Sequence, residues 1–172
     1  MITIRPETAA DYPAVYEINH LAFEGSDAEP RLVEKVRASA GYVPELSLLA
    51  ELDDRLVGHI LFSWVSLITQ HGEQALMCLA PMAVLPDFQG RGVGARLVRH
   101  GLDECRRLGI DVVNVLGHPN YYPRFGFVPA RPLGILPPFE VPDPAWMVVE
   151  LQPAALTGLS GVVRYPAAFE GV

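Results

Sequence analysis

The 172-residue sequence contains only two cysteines, Cys78 and Cys105, and neither belongs to a CxxC pair or a Cys/His cluster. A disulfide-stapled secreted domain is therefore not expected. Both cysteines sit in apolar stretches, as buried free thiols do. Lysine is nearly missing, because of 13 basic residues only Lys35 is not arginine. Set against 20 acids this leaves a net charge of −7, so the basic footprint that nucleic-acid binding needs is absent. Charged residues make up only 19% of the chain, half of it is hydrophobic and the mean hydropathy is +0.22. That apolar content excludes disorder as the dominant state. The longest apolar runs, ILFSWVSLI and LMCLAPMAVLP, fall well short of the ~18 residues that cross a bilayer. The opening residues MITIRPETAADY lack the basic region and apolar run of a signal peptide. These absences point to a cytoplasmic protein with no membrane or nucleic-acid partner. Its length corresponds to one domain spanning 1–172.

The periodicity gives the order of elements. Residues 2–5 read as a strand ending at Pro6. Thr8 followed by Asp11 forms an imperfect capping box, and Val15, Ile18, Leu21 and Ala22 recur at helical spacing, so 9–23 is an amphipathic helix. A second helix is expected at about 29–39. Residues 46–52 and 56–68 read as a hairpin, and Asp53-Asp54-Arg55 suggests a loose loop because it is not of the Asn-Gly type. Residues 75–85 are almost wholly apolar, as in a strand buried on both faces, but Pro81 lies inside them and demands a bulge or splay. The strongest helix covers 92–108, with Val93, Leu97, Val98, Leu102 and Cys105 on one face. A strand at 111–116 follows, then a loop with a short helix. The last 44 residues, from Pro129, hold 8 of the 16 prolines. They read as strands at 145–151 and 161–165 joined by loops. The fold class is α/β, a mixed sheet with helices on both faces.

The informative stretch is VLPDFQGRGVGA, Val84–Ala95, which passes from a buried strand through a glycine-rich turn into the strongest helix. A helix start leaves backbone N–H groups unpaired and carries partial positive charge, which suits an anion such as a diphosphate. A P-loop is excluded because Gly94 is followed by Ala95-Arg96 rather than Lys and Ser or Thr. A dinucleotide fingerprint fits loosely through Gly90, Gly92 and Ala95. However, four residues separate strand from first glycine, and the next strand ends without the ribose-binding acid. The pattern [QR]xxGx[GA] is met in frame by Gln89, Gly92 and Gly94.

This segment resembles the coenzyme A pyrophosphate loop of GNAT acetyltransferases. Tyr122-Pro-Arg-Phe-Gly-Phe127 resembles that superfamily's second signature, an aromatic-rich turn ending Tyr-x-x-x-Gly-Phe, and the element order fits along nearly the whole chain. The resemblance implies a mixed, mostly antiparallel sheet with splayed central strands. It also implies acetyl-CoA as co-substrate without a metal, and N-acetylation of a small-molecule or peptide primary amine by direct attack. By the same resemblance the backbone of Met82, Ala83 and Val84 runs beside the pantetheine arm. Gln89, Gly90, Arg91, Gly92, Val93, Gly94 and Ala95 surround the pyrophosphate, Asn120 touches the cofactor arm, and Tyr122 is the general acid.

The sequence departs from many relatives of that kind, since residues 75–86 contain no carboxylate to act as base. Glu24, Asp27 and Glu29, between the first two helices, are the candidates that topology leaves. Solvated loop charge is the simpler reading of each, and a water chain or an amine arriving neutral removes the need. Arg91 and Arg96 add charge near the loop. Trp64 and Trp146 read as packing residues, Tyr121 as a packing residue or as lining of the acceptor pocket, and Arg99, Arg106 and Arg107 as the wet face of the long helix. Two rivals remain: an acyl-CoA-binding regulatory module without turnover, and a dinucleotide-dependent redox enzyme. The acceptor is not readable, and a homodimer is left open.

Overall fold

The computed structural model describes residues 1–171. One sheet runs through it. Strands β1 (Ile2–Pro6), β2 (Tyr42–Leu52), β3 (Arg55–Thr69), β4 (Gly72–Val84), β5 (Val112–Leu116), β6 (Val128–Pro129), β7 (Ile135–Leu136), β8 (Trp146–Glu150) and β9 (Gly161–Arg164) alternate with three helices, α1 (Tyr12–Ala22), α2 (Ala28–Arg37) and α3 (Val93–Arg107). The main strand order is β1-β2-β3-β4-β5-β8-β6, with β9 joining β3 and β7. Among the described residues only β4–β5 and β7–β9 are parallel pairs.

Helix α3 packs over β1 to β4, and α1 lies against β3 and β4 on the opposite face. The amphipathic stripe of α3 is as the spacing requires: Val93, Leu97, Val98, Leu102 and Cys105 are all buried. The first helix begins as a short 3₁₀ turn at Ala9–Asp11, with the Thr8 N–H donating to Asp11 Oδ2 at 2.7 Å. Arg5 clamps the same carboxylate at 2.8 and 2.9 Å.

The β2–β3 connection differs from expectation. Leu52 pairs directly with Arg55, so the turn has two residues, and Asp53 and Asp54 both have positive φ (51° and 61°). This is the primed geometry whose twist matches the flanking strands; aspartate tolerates the left-handed region well enough to replace Asn-Gly. Strand β2 also starts earlier than its apolar run, at Tyr42, with a register shift between Tyr42 and Ser47.

Pro81 produces the expected disruption. Ile60 pairs with Met82 but Phe62 pairs with Leu79, so Leu61 alone stands opposite both Ala80 and Pro81. This two-against-one bulge accommodates a residue that has no N–H to give the ladder. On the other side, β4 pairs with β5 only from Met77↔Val113 to Leu79↔Val115. Beyond the bulge the two central strands part into a fork. The two strands expected in the proline-rich tail form as β8 and β9, and β9 extends the sheet by pairing with the end of β3 that β2 leaves free. No helix among the described residues is long and apolar enough to cross a membrane.

Candidate active site

The glycine-rich turn lies at the mouth of the fork. Gly90 and Gly92 take φ of +75° and +82°, and Gly92 caps α3 from the left-handed region. A Cβ built at either meets nothing within 4 Å, so the turn borders open space. The first N–H groups of α3, from Val93 onward, point into this space with the positive end of the helix dipole behind them. The Val93 side chain is buried beneath, so only its backbone belongs to the cradle. Gln89 braces the turn: its Nε2 donates to Val84 O at 3.1 Å, which ties the turn to the end of β4.

The fork offers backbone groups in alternation. Leu85 N–H donates to Val57 O at 2.9 Å, and the register runs Gly58↔Val84, His59↔Ala83, Ile60↔Met82. Antiparallel hydrogen-bonded pairs alternate with non-bonded ones. Ala83 therefore spends its peptide groups on His59, whereas those of Met82 and Val84 face the gap. Ala83, expected to line the gap with its neighbours, contributes no free backbone group. With Val84 O taken by Gln89, the open groups are the N–H and carbonyl of Met82 and the N–H of Val84. Parity against β3 decides this, and no single-strand pattern reveals it.

Two tyrosines approach the fork from the loop after β5. Tyr122 begins a short 3₁₀ turn, is 7% exposed, and lies so close over Gly117 that any side chain there would collide with its ring. Edge-on contacts to Tyr121 and Phe127, with centroids at 5.2 and 5.6 Å, hold the ring. Burial, reinforced by Tyr121 and Cys78, pushes the Tyr122 phenol well above its ordinary value, so it stays protonated at neutral pH. Tyr121 is half-buried, and its Oη lies against Gly94, 2.8 Å from where a Cβ would stand. Tyr121 thus touches the cradle itself, a contact that neither packing nor lining of the acceptor pocket implies. Asn120 is exposed in the turn before it, at the rim.

Arginines ring the site, though not all those expected. The Arg91 guanidinium lies 5.1 Å from the centre of the Phe88 ring, where Arg55 joins it at the same distance. Arg96 instead donates to Ile2 O at 3.0 Å, which anchors it to β1. Arg99 over Phe125 and Arg124 over Tyr121 both lie near enough to offset part of the burial that raises the Tyr121 phenol. Arg99 reads in sequence as a wet helix face. Its contact with a loop twenty-six residues away has no local signal.

The three acids divide. Glu24 is exposed at positive φ. Asp27 is engaged: Tyr16 Oη donates to its Oδ1 at 3.0 Å, His20 Nδ1 lies 3.0 Å from the same oxygen, and these contacts hold its carboxyl below the usual range. Glu29 is partly buried, and its Oε2 has no hydrogen-bond partner. Among the described residues no group of three or more His, Cys, Asp or Glu gathers in ligating positions. Both cysteines are free and buried, and burial pushes each thiol up to about 12.

Comparison with known proteins agrees with this geometry. The model of the acetyltransferase (GNAT) family matches residues 12–127. An uncharacterized N-acetyltransferase of Escherichia coli K12, YjhQ, is 39% identical over 155 residues, 87% of this chain and 85% of its own. A second from the same organism, YhbS, is 34% identical over 163 residues, covering 94% and 95%. The crystal structure of E. coli YhbS in complex with CoA matches with a TM-score of 0.89 at 32% identity, covering 98% of this chain and 91% of that one. A Brucella melitensis GNAT family acetyltransferase in complex with acetyl-CoA gives 0.80 at 30% identity, covering 99% of each. A family match over most of the chain, with relatives of this identity along nearly its whole length, carries one conclusion: the chain belongs to the GNAT N-acetyltransferase family and is an acyltransferase.

Proposed function

We propose that the protein moves the acetyl group of acetyl-CoA onto a primary amine by direct attack in a ternary complex. The observation that carries this reading is the fork itself. Two open peptide groups on β4 lead from a glycine-rich helix start to a buried, protonated phenol. In this reading the N–H groups from Gly90 to Ala95 hold the pyrophosphate, with Arg91, Arg99 and Arg124 supplying charge. The Met82 and Val84 peptide groups pair with the pantetheine arm. A Met82 or Val84 N–H is placed to meet the oxygen that becomes negative as the amine adds to the thioester, and Tyr122 gives its proton to the departing sulfur.

Direct attack is favoured over an acyl-enzyme because neither thiol is available. Thiols that titrate near 12 hold a negligible thiolate fraction at neutral pH, and both are buried. Initial-rate kinetics with both substrates varied test this. Intersecting double-reciprocal lines, with no mass gain on the protein incubated with acetyl-CoA alone, are expected. Parallel lines with an acetylated protein would overturn it.

A further inference from the structure

Helix α1 ends over the gap. Its buried Asn19 brings Nδ2 to 3.1 Å from Nδ1 of His59, and His59 pairs with Ala83, between the two residues of β4 whose peptide groups are open. A Cβ on neighbouring Gly58 would meet Val93 and Leu97 of α3, so His59 and Ala83, one place along, turn to the face that α1 covers. In the transfer reading the glycine-rich cradle of α3 holds the cofactor on one side of the gap. An amine reaching the thioester comes from the other side, past the end of α1.

His20 follows Asn19 directly. It stacks on Tyr16 one turn earlier, with ring centroids 6.3 Å apart and planes at 21°. Both side chains converge on Asp27 at the start of α2: Tyr16 Oη donates to Oδ1 at 3.0 Å, and His20 Nδ1 lies 3.0 Å from the same oxygen. Nδ1 is shut off from solvent, and its contact with Asp27 is short but not aligned, as catalytic hydrogen bonds often are before substrate binds. Nε2 and Cε1 lie over the Glu24-Gly25 turn, 3.9 and 4.0 Å from where a Gly25 Cβ would stand. The side chain is 37% exposed, so with Nδ1 covered the exposure falls on the rest of the ring. Tyr16 and His20 hold the Asp27 carboxyl below its usual range, so it stays ionised at neutral pH. An ionised carboxylate beside Nδ1 keeps the proton there and leaves the lone pair on Nε2, the arrangement of an oriented general base. The titratable and charged groups around the ring are Tyr16 on α1, Glu24 in the turn, and Asp27 and Arg31 on α2; from the sheet, His59 meets α1 through Asn19.

We propose that His20 is the catalytic base: its Nε2 takes a proton from the acceptor's ammonium group, with Asp27 and Tyr16 as positioning residues. The assignment rests on the transfer reading above and supplies what β4 lacks, since residues 75–86 bring no carboxylate. The ammonium gives its first proton to Nε2, which passes it to solvent. The freed lone pair forms the N–C bond, the C–S bond breaks, and sulfur takes the Tyr122 proton. The second proton leaves nitrogen for the Tyr122 oxygen and restores the phenol. From Asn19 to Ala83 the structure spans one 3.1 Å contact and one strand spacing of about 5 Å, so His20 borders the approach to the gap. The base also selects a substrate class. Aliphatic amines, which arrive as ammonium ions at neutral pH, profit from it, whereas weakly basic aromatic amines gain nothing.

Kinetics of His20→Asn and Asp27→Asn test this, with spermidine, kanamycin, lysine and an alanine-initiated peptide as acceptors and the pH profile followed on whichever the parent turns over. The parent should hold kcat/KM for the amine nearly level from about pH 7 to 9, because ammonium is the form it uses. His20→Asn keeps an N–H near Asp27 but has no base. It should bind acetyl-CoA as the parent does, fall about 10²-fold in kcat/KM at pH 7, and climb about tenfold per pH unit, since it depends on amine that solvent has already deprotonated. Asp27→Asn should show a smaller loss in the same direction. A His20→Asn enzyme with the parent's rate and level profile would overturn the base while leaving acetyl transfer intact, as would a loss of equal size at every pH, which marks a structural role. A parent inactive with all four amines would instead end the transfer reading, and the base with it.

Discussion

Replacing Gly92 by alanine separates the folding role of the cradle from its binding role. Gly92 holds φ at +82°, where an L-residue costs about 1–2 kcal/mol. No steric term adds to this, because a Cβ there has nothing within 4 Å. For a chain of this length 1 kcal/mol moves Tm by about 2–4 °C, so Gly92→Ala should melt roughly 2–8 °C below the parent protein without ligand. A β-branched residue such as valine would be strained further, so it serves the test less well than alanine. The second effect appears only with acetyl-CoA. In the proposed reading, the empty space that accepts the methyl group is the space a diphosphate oxygen enters to reach the N–H groups behind it. Losing one charge-assisted hydrogen bond removes about 1.5–3 kcal/mol, an affinity loss of roughly tenfold to 150-fold. Thermal shift and calorimetry read the two effects separately: acetyl-CoA at 100 times Kd stabilises the parent by about 2.7 kcal/mol, and the variant at the same concentration should keep about 0.3–1.4 kcal/mol of that gain. A variant that melts early yet binds acetyl-CoA as tightly as the parent would refute the cradle.

Three further outcomes are expected. Tyr122→Phe should retain fold and acetyl-CoA affinity and lose about 10²-fold or more in kcat, as removal of a general acid does; Tyr121→Phe should weaken acetyl-CoA binding modestly, since its hydroxyl borders Gly94, and a large kcat loss at Tyr121 with none at Tyr122 would reverse their roles. CoA and 3′-dephospho-CoA should bind within a modest factor of each other and pantetheine far more weakly, whereas equal binding of pantetheine and CoA would exclude a phosphate-dominated site. Burial, partly opposed by Glu7, pushes the His59 imidazole down to about 4, with Nδ1 at 3.1 Å from Asn19 Nδ2 and Nε2 at 3.0 Å from Ser47 Oγ. The stability that comes from keeping it neutral is complete above the unfolded value near 6.5 and lost as pH falls toward 4. Tm should therefore drop roughly 4–8 °C between pH 7 and 5, and His59→Gln should flatten that slope; an unchanged slope would place the titrating group elsewhere.

The sequence makes the site legible where its signals are consecutive. Gln89 to Ala95 spells turn, cap and helix within seven residues, and α3 carries its stripe at a period that permits one buried face. Pro81 announces the fork because a missing N–H cannot sit quietly in a central ladder. Long-range parity is what the sequence hides. Only pairing with His59 and Val57 shows that Met82 and Val84, and not Ala83, face the gap. The tight Asp53-Asp54 turn escapes notice because aspartate reaches the left-handed region without the usual glycine. The stack of Tyr165 between Phe139 and Phe169 depends on β9 returning about a hundred residues later to pair with β3, and no local pattern encodes that return. Arg99 looks like solvated charge until the loop after β5 folds back on α3.

The measurement that bears most directly on the central claim is an acceptor screen by thiol release. The protein would be incubated with acetyl-CoA and a library of polyamines, aminoglycosides, amino acids and peptide N-termini. Amine-dependent release of CoA thiol is expected, with a mass gain of one acetyl group on the amine and loss of that release in Tyr122→Phe. Tight acetyl-CoA binding without release beyond the amine-free background, across the whole library, would contradict the claim and leave a module that binds acyl-CoA without turning it over.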